Sequence, residues 1–143
     1  MIIVIVGVIS IFVAPRISGS VAQTRGFYDQ LLSQVQYARK VAVAQRRAVC
    51  VHIGAAQSSL FYSNALGNAC PATTGVAAPT GGAPFTLAVP DGVSPLTPVT
   101  FQFDALGRYR DPGGGETTAP LVVSVAGDGN YQLTVQHETG YVR

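Results

Sequence analysis

A single apolar segment at the start of the chain constrains its fold more than any other feature. From Met1 to Ala14 only Ser10 is polar, and the first charged residue, Arg16, follows Pro15. As an α-helix this run would be about 21 Å long, which is shorter than the ~30 Å hydrocarbon core of a bilayer. A secretory signal peptide is disfavoured, because no basic residue precedes the run and no small-residue cleavage site follows it.

A buried core helix is the remaining alternative for this segment. The run is apolar on every face, however, and the domain that follows is small, so little protein is available to cover it. We therefore interpret residues 1–24 as an apolar transmembrane or filament helix, and we expect its N-terminal end to lie upstream of this sequence. Residues 25–143 are expected to form one globular domain.

The composition of that domain predicts short elements joined by many turns. Of the 143 residues, 11% are charged and the formal net charge is +2. This net charge is too small to indicate nucleic-acid binding from bulk electrostatics. The 16 glycines and 9 prolines lie mostly after residue 54, where they separate short apolar segments.

A helical period predicts that the domain opens with an amphipathic helix over 27–47. We expect residues 18–26 to be weakly helical or partly unwound, and we expect Gln34 to lie with the charged residues on the exposed face. The apolar stripe repeats at intervals of three or four residues. Its members are Phe27, Leu31, Val35, Ala38 and Ala42.

From residue 49 onward the pattern alternates and predicts strands. Val49, Val51 and Ile53 fall on one face of the first strand, with Cys50 and His52 on the other. Further strands are predicted at 58–63, 85–89, 98–104, 121–127, 130–136 and 141–143, with long loops at 64–84 and 105–120. The predicted fold is α+β, with a long N-terminal α-helix packed on an antiparallel β-sheet.

This arrangement resembles that of the type IV pilins and the type II secretion pseudopilins. In that superfamily a glycine lies eight residues before a proline in the apolar helix, and Gly7 and Pro15 keep that spacing. The segment YARKVAVAQRRAVCVHI resembles GspH/FimT-type minor pilins, and RGFYDQL, FDALGR and ETGYVR resemble minor pilin-like proteins of mannose-sensitive haemagglutinin (MSHA) pili. The resemblance implies a structural minor subunit of an MSHA-like type IV pilus. A GspH-like minor pseudopilin of type II secretion is the alternative.

The resemblance also implies where such a subunit acts. Its N-terminal helix would hold it in the bacterial inner membrane as a single-pass anchor, with the globular domain in the periplasm. The inner-membrane assembly platform would then transfer it into a filament, where the helix contacts other pilin or pseudopilin subunits. Gly7, Ser10 and Ala14 form a small-residue edge suited to such packing. The leader peptide and the N-terminal glutamate of the family would precede Met1.

The two cysteines are candidates for a disulfide. Cys50 lies in the first predicted strand and Cys70 in the loop after the second, and a hairpin would return the chain past Cys50. Closing a loop of about 20 residues is worth about 3 kcal/mol in the chain-entropy treatment. A free buried cysteine on the strand is the alternative.

No residue pattern predicts catalysis or a metal site. Cys50 and His52 share a strand face but lack the spacing of a zinc motif. A nucleophile elbow is missing from the sequence, and its acidic residues are scattered rather than paired. We therefore expect no enzyme activity, no metal and no cofactor.

The segment GRYR offers a further binding hypothesis. Some FimT-type minor pilins bind DNA during uptake, and a Gly-Arg-x-Arg motif is associated with that activity. The resemblance therefore makes Arg108, Tyr109 and Arg110 candidate contacts with DNA or with a partner. We expect them to project from a flexible loop, with both arginines on one side and Tyr109 on the other. Because only two positive charges are involved and two aspartates lie nearby, a solvated turn or an ion pair with a neighbouring subunit is favoured over phosphate binding.

Overall fold

The computed structural model describes residues 19–64, 69–94 and 96–143. Gly7, Ser10, Ala14 and Pro15 lie outside these ranges. Among the described residues, no helix is both long and apolar enough to cross a membrane. The elements are α1 Gly19–Gln45, β1 Val49–Ile53, β2 Gln57–Tyr62, β3 Thr86–Ala88, β4 Val99–Phe103, β5 Tyr109–Arg110, β6 Leu121–Ala126 and β7 Asn130–Val135.

Helix α1 begins before the predicted start at residue 27. Residues 19–26, which we expected to be weakly helical or unwound, are part of the continuous helix. Tertiary packing accounts for the difference, because Thr24 is completely buried and lies against Gly127 in the turn after β6. The second half of the chain therefore stabilises a stretch that has weak helical propensity of its own.

The helix ends at a Schellman cap, two residues before the predicted end at 47. Arg46 has a left-handed φ of 50°. The N–H of Arg46 donates to the Val43 carbonyl at 3.3 Å, and the N–H of Arg47 donates to the Ala42 carbonyl at 3.1 Å. This pair of bonds satisfies carbonyls that the last helical turn leaves free and turns the chain toward β1.

The apolar stripe of α1 is buried, as the helical period predicted, but one polar residue lies beside it. All five stripe residues are at most 2% exposed. Gln34 is also completely buried, and its Nε2 donates to the Phe85 carbonyl at 3.0 Å. The expectation that Gln34 is exposed was wrong, because a backbone acceptor from a distant loop lies within reach of its amide.

The strands form two antiparallel sheets rather than one. Five strands have the order β3-β2-β1-β4-β5, and β6 and β7 form a separate hairpin. In the central strand β1, Val51 lies opposite Leu60 of β2 and Phe101 of β4. Helix α1 contacts both sheets, and their inward side chains share one core with the helix stripe. The α+β fold class is confirmed.

Two short pairings in the second half of the chain differ from the predicted strands. Tyr109–Arg110 forms β5 and pairs with β4, inside a segment that we expected to be one loop. The C-terminal residues make a single bridge between Val142 and Val135 instead of a strand. Thr134 and Arg143 exchange two backbone hydrogen bonds, of 2.8 and 3.1 Å. The outer edge of β7 is thereby covered by the end of the chain.

Candidate partner-binding cleft

The turn between β4 and β5 is organised by Asp104. The N–H of Gly107 donates to the Asp104 carbonyl at 2.8 Å. The carboxylate Oδ1 accepts from the N–H groups of Leu106 and Arg108, both at 2.9 Å. Gly107 has a φ of 77°, which glycine adopts without the steric cost that a side chain would add. The turn therefore fixes where the two following arginines begin.

The second carboxylate oxygen of Asp104 holds both arginines of the GRYR segment. Oδ2 accepts from Nε of Arg108 at 2.9 Å and from Nε of Arg110 at 3.1 Å. Burial acts to raise the pKa of the Asp104 carboxyl. The hydrogen bonds from Arg108, Arg110 and Leu106 outweigh burial and lower that pKa. Asp104 is therefore ionised at neutral pH and offsets part of the arginine charge.

Both arginines line an open cleft of about 380 Å³. The Arg110 side chain is 12% exposed and that of Arg108 is 43% exposed. Nη1 of Arg110 also donates to Oε1 of Glu116 at 2.9 Å, and this bond is the main reason that the pKa of Arg110 is raised. The remaining lining residues are Tyr109, Thr117, Thr118, His137 and Glu138.

Tyr109 lies on the core face of β5, opposite the face that carries the arginines. Its ring packs edge-on against Phe101, with the centroids 5.6 Å apart. Burial and then the charge of Asp111 raise the pKa of Tyr109. The alternation of side chains was predicted correctly. The expected flexible loop was wrong, because Tyr109 and Arg110 belong to a paired strand and two carboxylates hold Arg110.

The charges at the cleft nearly cancel. Arg108, Arg110, Glu116 and Glu138 all line the cleft. Asp104 does not line it but forms ion pairs with both arginines. Two positive charges against three negative charges leave no excess of positive charge. Phosphate binding depends on such an excess, so the cleft suits a mixed polar protein surface better than a nucleic-acid backbone.

The wall of the cleft that lies after β7 was not predicted from the sequence. His137 and Glu138 follow that strand after Gln136 and line the cleft together with the β5 residues. Nδ1 of His137 is buried and has no hydrogen-bond partner in the part of the chain that the structure describes. Nε2 of His137 lies 3.8 Å from Oε1 of Glu138. No local motif marks these residues, because the cleft arises only where the C-terminal turn folds back beside β5.

Arg39 of α1 fixes both turns that frame the cleft. Its Nε donates to the Gly107 carbonyl at 3.1 Å, and its Nη2 donates to the Thr139 carbonyl at 3.0 Å. The helical period placed Arg39 on an exposed polar face and could not indicate these acceptors. The cleft is therefore supported by the helix as well as by the strands.

Cys50 and Cys70 are joined by a disulfide, with their Cα atoms 5.5 Å apart. The bond attaches the loop after β2 to the central strand. The ligand atoms of Cys50, Cys70 and His52 lie within 4.8 Å of one another. Because the two sulfur atoms are bonded to each other, neither is a thiolate that can bind a metal ion. Burial lowers the pKa of His52, so its imidazole is neutral at pH 7.

Comparison with known proteins finds solved structures that share this fold. No protein-family model and no curated protein sequence matches the chain. Two crystal forms of the type IV minor pilin FimU from Pseudomonas aeruginosa share its fold. One has a TM-score of 0.58 and 16% identity over 85% of this chain and 87% of FimU. The other has a TM-score of 0.55 and 17% identity over 83% of this chain and 90% of FimU. The chain therefore has the fold of a type IV minor pilin, as the sequence resemblance predicted.

Proposed function

We propose that this chain is a minor subunit of a type IV pilus of the MSHA-like kind. The observation that carries the proposal is the fold, which a type IV minor pilin shares over 85% of this chain. The apolar run of residues 1–14 stands shortly before α1 in the sequence, where a pilin subunit carries its filament helix. The proposed role is structural and requires neither catalysis nor a cofactor.

The proposed mechanism of assembly exchanges one apolar environment for another. In the inner membrane the apolar run contacts lipid, and in the filament it contacts the same segment of other subunits. Because both environments exclude water, the hydrophobic free energy changes little, and insertion into the membrane and extraction from it are nearly balanced. Gly7, Ser10 and Ala14 supply close helix contacts in the filament.

We place the boundary between the filament helix and the globular domain near residue 20 rather than 24. Thr24 is completely buried against Gly127, so it belongs to the packed domain. The Cys50–Cys70 disulfide supports a periplasmic location for this domain, because such bonds persist in oxidising compartments.

Cell fractionation tests the membrane part of the proposal. The protein produced with its natural upstream sequence should sediment with the inner membrane of the bacterium that carries the gene. Deletion of residues 1–20 should leave a soluble, folded periplasmic domain. If the truncated protein aggregates while the longer form is soluble, the apolar run belongs to the globular core and the proposal fails.

Assembly mutants separate the two machines that use such subunits. In a strain without the pilus assembly platform, the protein should be missing from the fraction sheared off the cells and should remain in the membrane. If it depends only on the type II secretion platform, it is a minor pseudopilin and the MSHA-like assignment is wrong.

Within this proposal the cleft contacts a neighbouring protein. Arg108 is 43% exposed while Asp104 holds its Nε, so the end of its guanidinium group is accessible to a carboxylate or carbonyl of a partner. DNA is the alternative ligand, and retention on immobilised DNA over a salt series distinguishes the two. Elution at low salt agrees with a protein partner. Retention at physiological salt that is lost in Arg108→Ala would favour DNA.

A further inference from the structure

The outer edge of β6 has hydrogen-bonding groups that point away from its partner strand. The N–H of Ser94 donates to the Ala126 carbonyl at 2.7 Å, so this carbonyl faces away from β7. Because strand groups alternate in direction, the N–H and C=O groups of Ser124 and Val122 face the same way. Thr134 confirms this alternation, since it lies opposite Val122 and directs both of its backbone groups outward to Arg143.

The two edges of the β6–β7 hairpin differ in what covers them. The outer edge of β7 pairs with the C-terminal residues, as described above. In the ranges that the structure describes, the outward backbone groups of Val122 and Ser124 have no backbone partner. The side chains of both residues are also exposed, and that of Val122 is 50% exposed. The open stretch therefore offers two N–H donors and two C=O acceptors in alternating order.

The sequence of β6 contains none of the features that protect an edge strand from pairing. Its residues, LVVSVA, include no charge, no proline and no glycine. Natural edge strands are usually blocked by charged side chains, prolines or bulges. Here Pro120 lies just before the open stretch, and the Ser94 bond closes its other end. The edge is thus open over a short and defined length.

We propose that β6 accepts a short extended segment of another subunit as an additional antiparallel strand. This inference rests on the proposed function, because it needs neighbouring subunits. Two residues of the incoming segment would form four hydrogen bonds with Val122 and Ser124. The residue between them lies opposite Val123, on the buried face, and should be apolar. The segment should carry no charge at these three positions.

The direction of α1 excludes antiparallel pairing with β6 of a second copy in a membrane or filament. Thr24 lies at Gly127, Tyr28 stacks on Tyr131 at 5.3 Å, and Gln36 donates to the carbonyl of Val142. Helix α1 therefore runs in the direction of β7 and opposite to β6. Antiparallel pairing of two β6 strands would make the two helices antiparallel, whereas subunits anchored in one membrane by their N-terminal segments have parallel helices.

The predicted contact is weak in isolation and useful inside an assembly. Four hydrogen bonds barely offset the entropy lost when a free peptide becomes ordered. Subunits that are already held together by their N-terminal helices supply a high effective concentration, so the same bonds then form readily. An added antiparallel strand would run along the direction of α1 in the same subunit.

Amide hydrogen exchange of the full chain in detergent micelles tests the edge directly. The probe is the acetylated and amidated peptide NYQLTV, because β6 already pairs with this sequence on its other side. Without peptide, the amides of Val122 and Ser124 should exchange much faster than those of Val123 and Val125. Saturating peptide should slow the first pair severalfold. Slow exchange at Val122 and Ser124 without peptide would overturn the proposal, and slowing that depends on protein concentration would indicate a second copy instead.

Two substitutions at residue 124 provide a matched pair. Ser124→Pro removes the outward N–H and leaves the bonds to β7 intact, because its N–H has no partner in that strand. Ser124→Thr keeps the N–H and favours a strand. The readout common to both variants is the amide of Val122. Its slowing by peptide should be lost in the proline variant and kept in the threonine variant. Equal slowing in both variants would contradict strand addition, and circular dichroism checks that both are folded.

The same variants in the bacterium separate this inference from the proposed function. Ser124→Pro should reduce recovery in sheared filaments severalfold, while Ser124→Thr matches the wild type. Equal recovery of both variants would show that the edge is not used in assembly. If the wild type itself is missing from filaments, the proposed function fails, and the peptide experiment alone decides whether β6 accepts a strand.

Discussion

Cutting the Cys50–Cys70 disulfide should lower the free energy of unfolding by about 3 kcal/mol. The two cysteines are 20 residues apart. The chain-entropy relation for a loop of this size gives about 11 cal/mol/K, which corresponds to about 3 kcal/mol at 25 °C. This is a large part of the ~5–15 kcal/mol by which a typical domain is stable.

The folded structure should survive the cut, so that the effect lies in the unfolded chain. The segment after Cys70 has contacts of its own, since Val76 is 1% exposed and its N–H donates to the Leu60 carbonyl at 3.0 Å. The N–H of Tyr62 donates to the Thr74 carbonyl at 2.8 Å. These bonds hold the loop against β2 whether or not the sulfur atoms are joined.

Urea titration of the domain without residues 1–20, followed by circular dichroism, measures the effect. Reduced wild-type protein keeps both sulfur atoms and therefore isolates loop closure. The free energy of unfolding should fall somewhat further in the double variant Cys50→Ala, Cys70→Ala than in the reduced wild type. The reason is that Cys50 is completely buried and its truncation leaves a cavity. A loss below about 1 kcal/mol on reduction would refute the loop-closure reasoning.

Three further predictions concern the turns around the cleft. Asp104→Asn should lower the free energy of unfolding by about 1 kcal/mol, since its partner Arg108 is partly screened by solvent. In the folded protein the pKa of Asp104 is below its ordinary value of 3.8. The stabilisation by the ionised Asp104 carboxylate should therefore be complete above pH 3.8 and should disappear as the pH falls further. Urea titrations of the wild type at several pH values measure this loss. Arg108→Ala should leave the melting temperature nearly unchanged and reduce recovery in filaments, as immunoblotting of the sheared fraction would show; unchanged recovery would exclude this contact. Gly140→Ala should destabilise the domain by about 2 kcal/mol or more in the same titrations, because Gly140 has a φ of 64° and a Cβ there would collide with the Gly107 carbonyl oxygen.

The elements with a regular apolar period could be predicted from the sequence. The stripe of α1 and the alternation of β1 both record which side faces the core, since burial selects apolar residues at a fixed spacing. The β6–β7 hairpin was predicted for the same reason, with its glycine-rich turn between two alternating segments. The Cys50–Cys70 disulfide was a candidate because the β1–β2 hairpin returns the chain past Cys50, with a free buried cysteine as the alternative, and the structure contains the bond.

The elements that depend on a distant partner could not be predicted. The helical period predicts that Gln34 lies at the surface, because the sequence does not show that the Phe85 carbonyl accepts a hydrogen bond from its amide. The two-residue strand β5 has too few residues for a period, and it lies between glycine-rich segments that read as a loop. The same limit applies to the cleft, because His137 comes close to Arg108 only through the folding of the C-terminal turn.

Mass spectrometry of purified, sheared filaments tests the central claim most directly. In the bacterium that carries the gene, tryptic peptides from residues 25–143 should be present in the filaments at a small fraction of the major subunit. They should be missing from the same preparation of a strain that lacks the pilus assembly platform, while the protein accumulates in its inner membrane. Filaments that lack these peptides in the wild type, with the protein recovered from the soluble periplasm, would contradict the proposed role as a minor pilin.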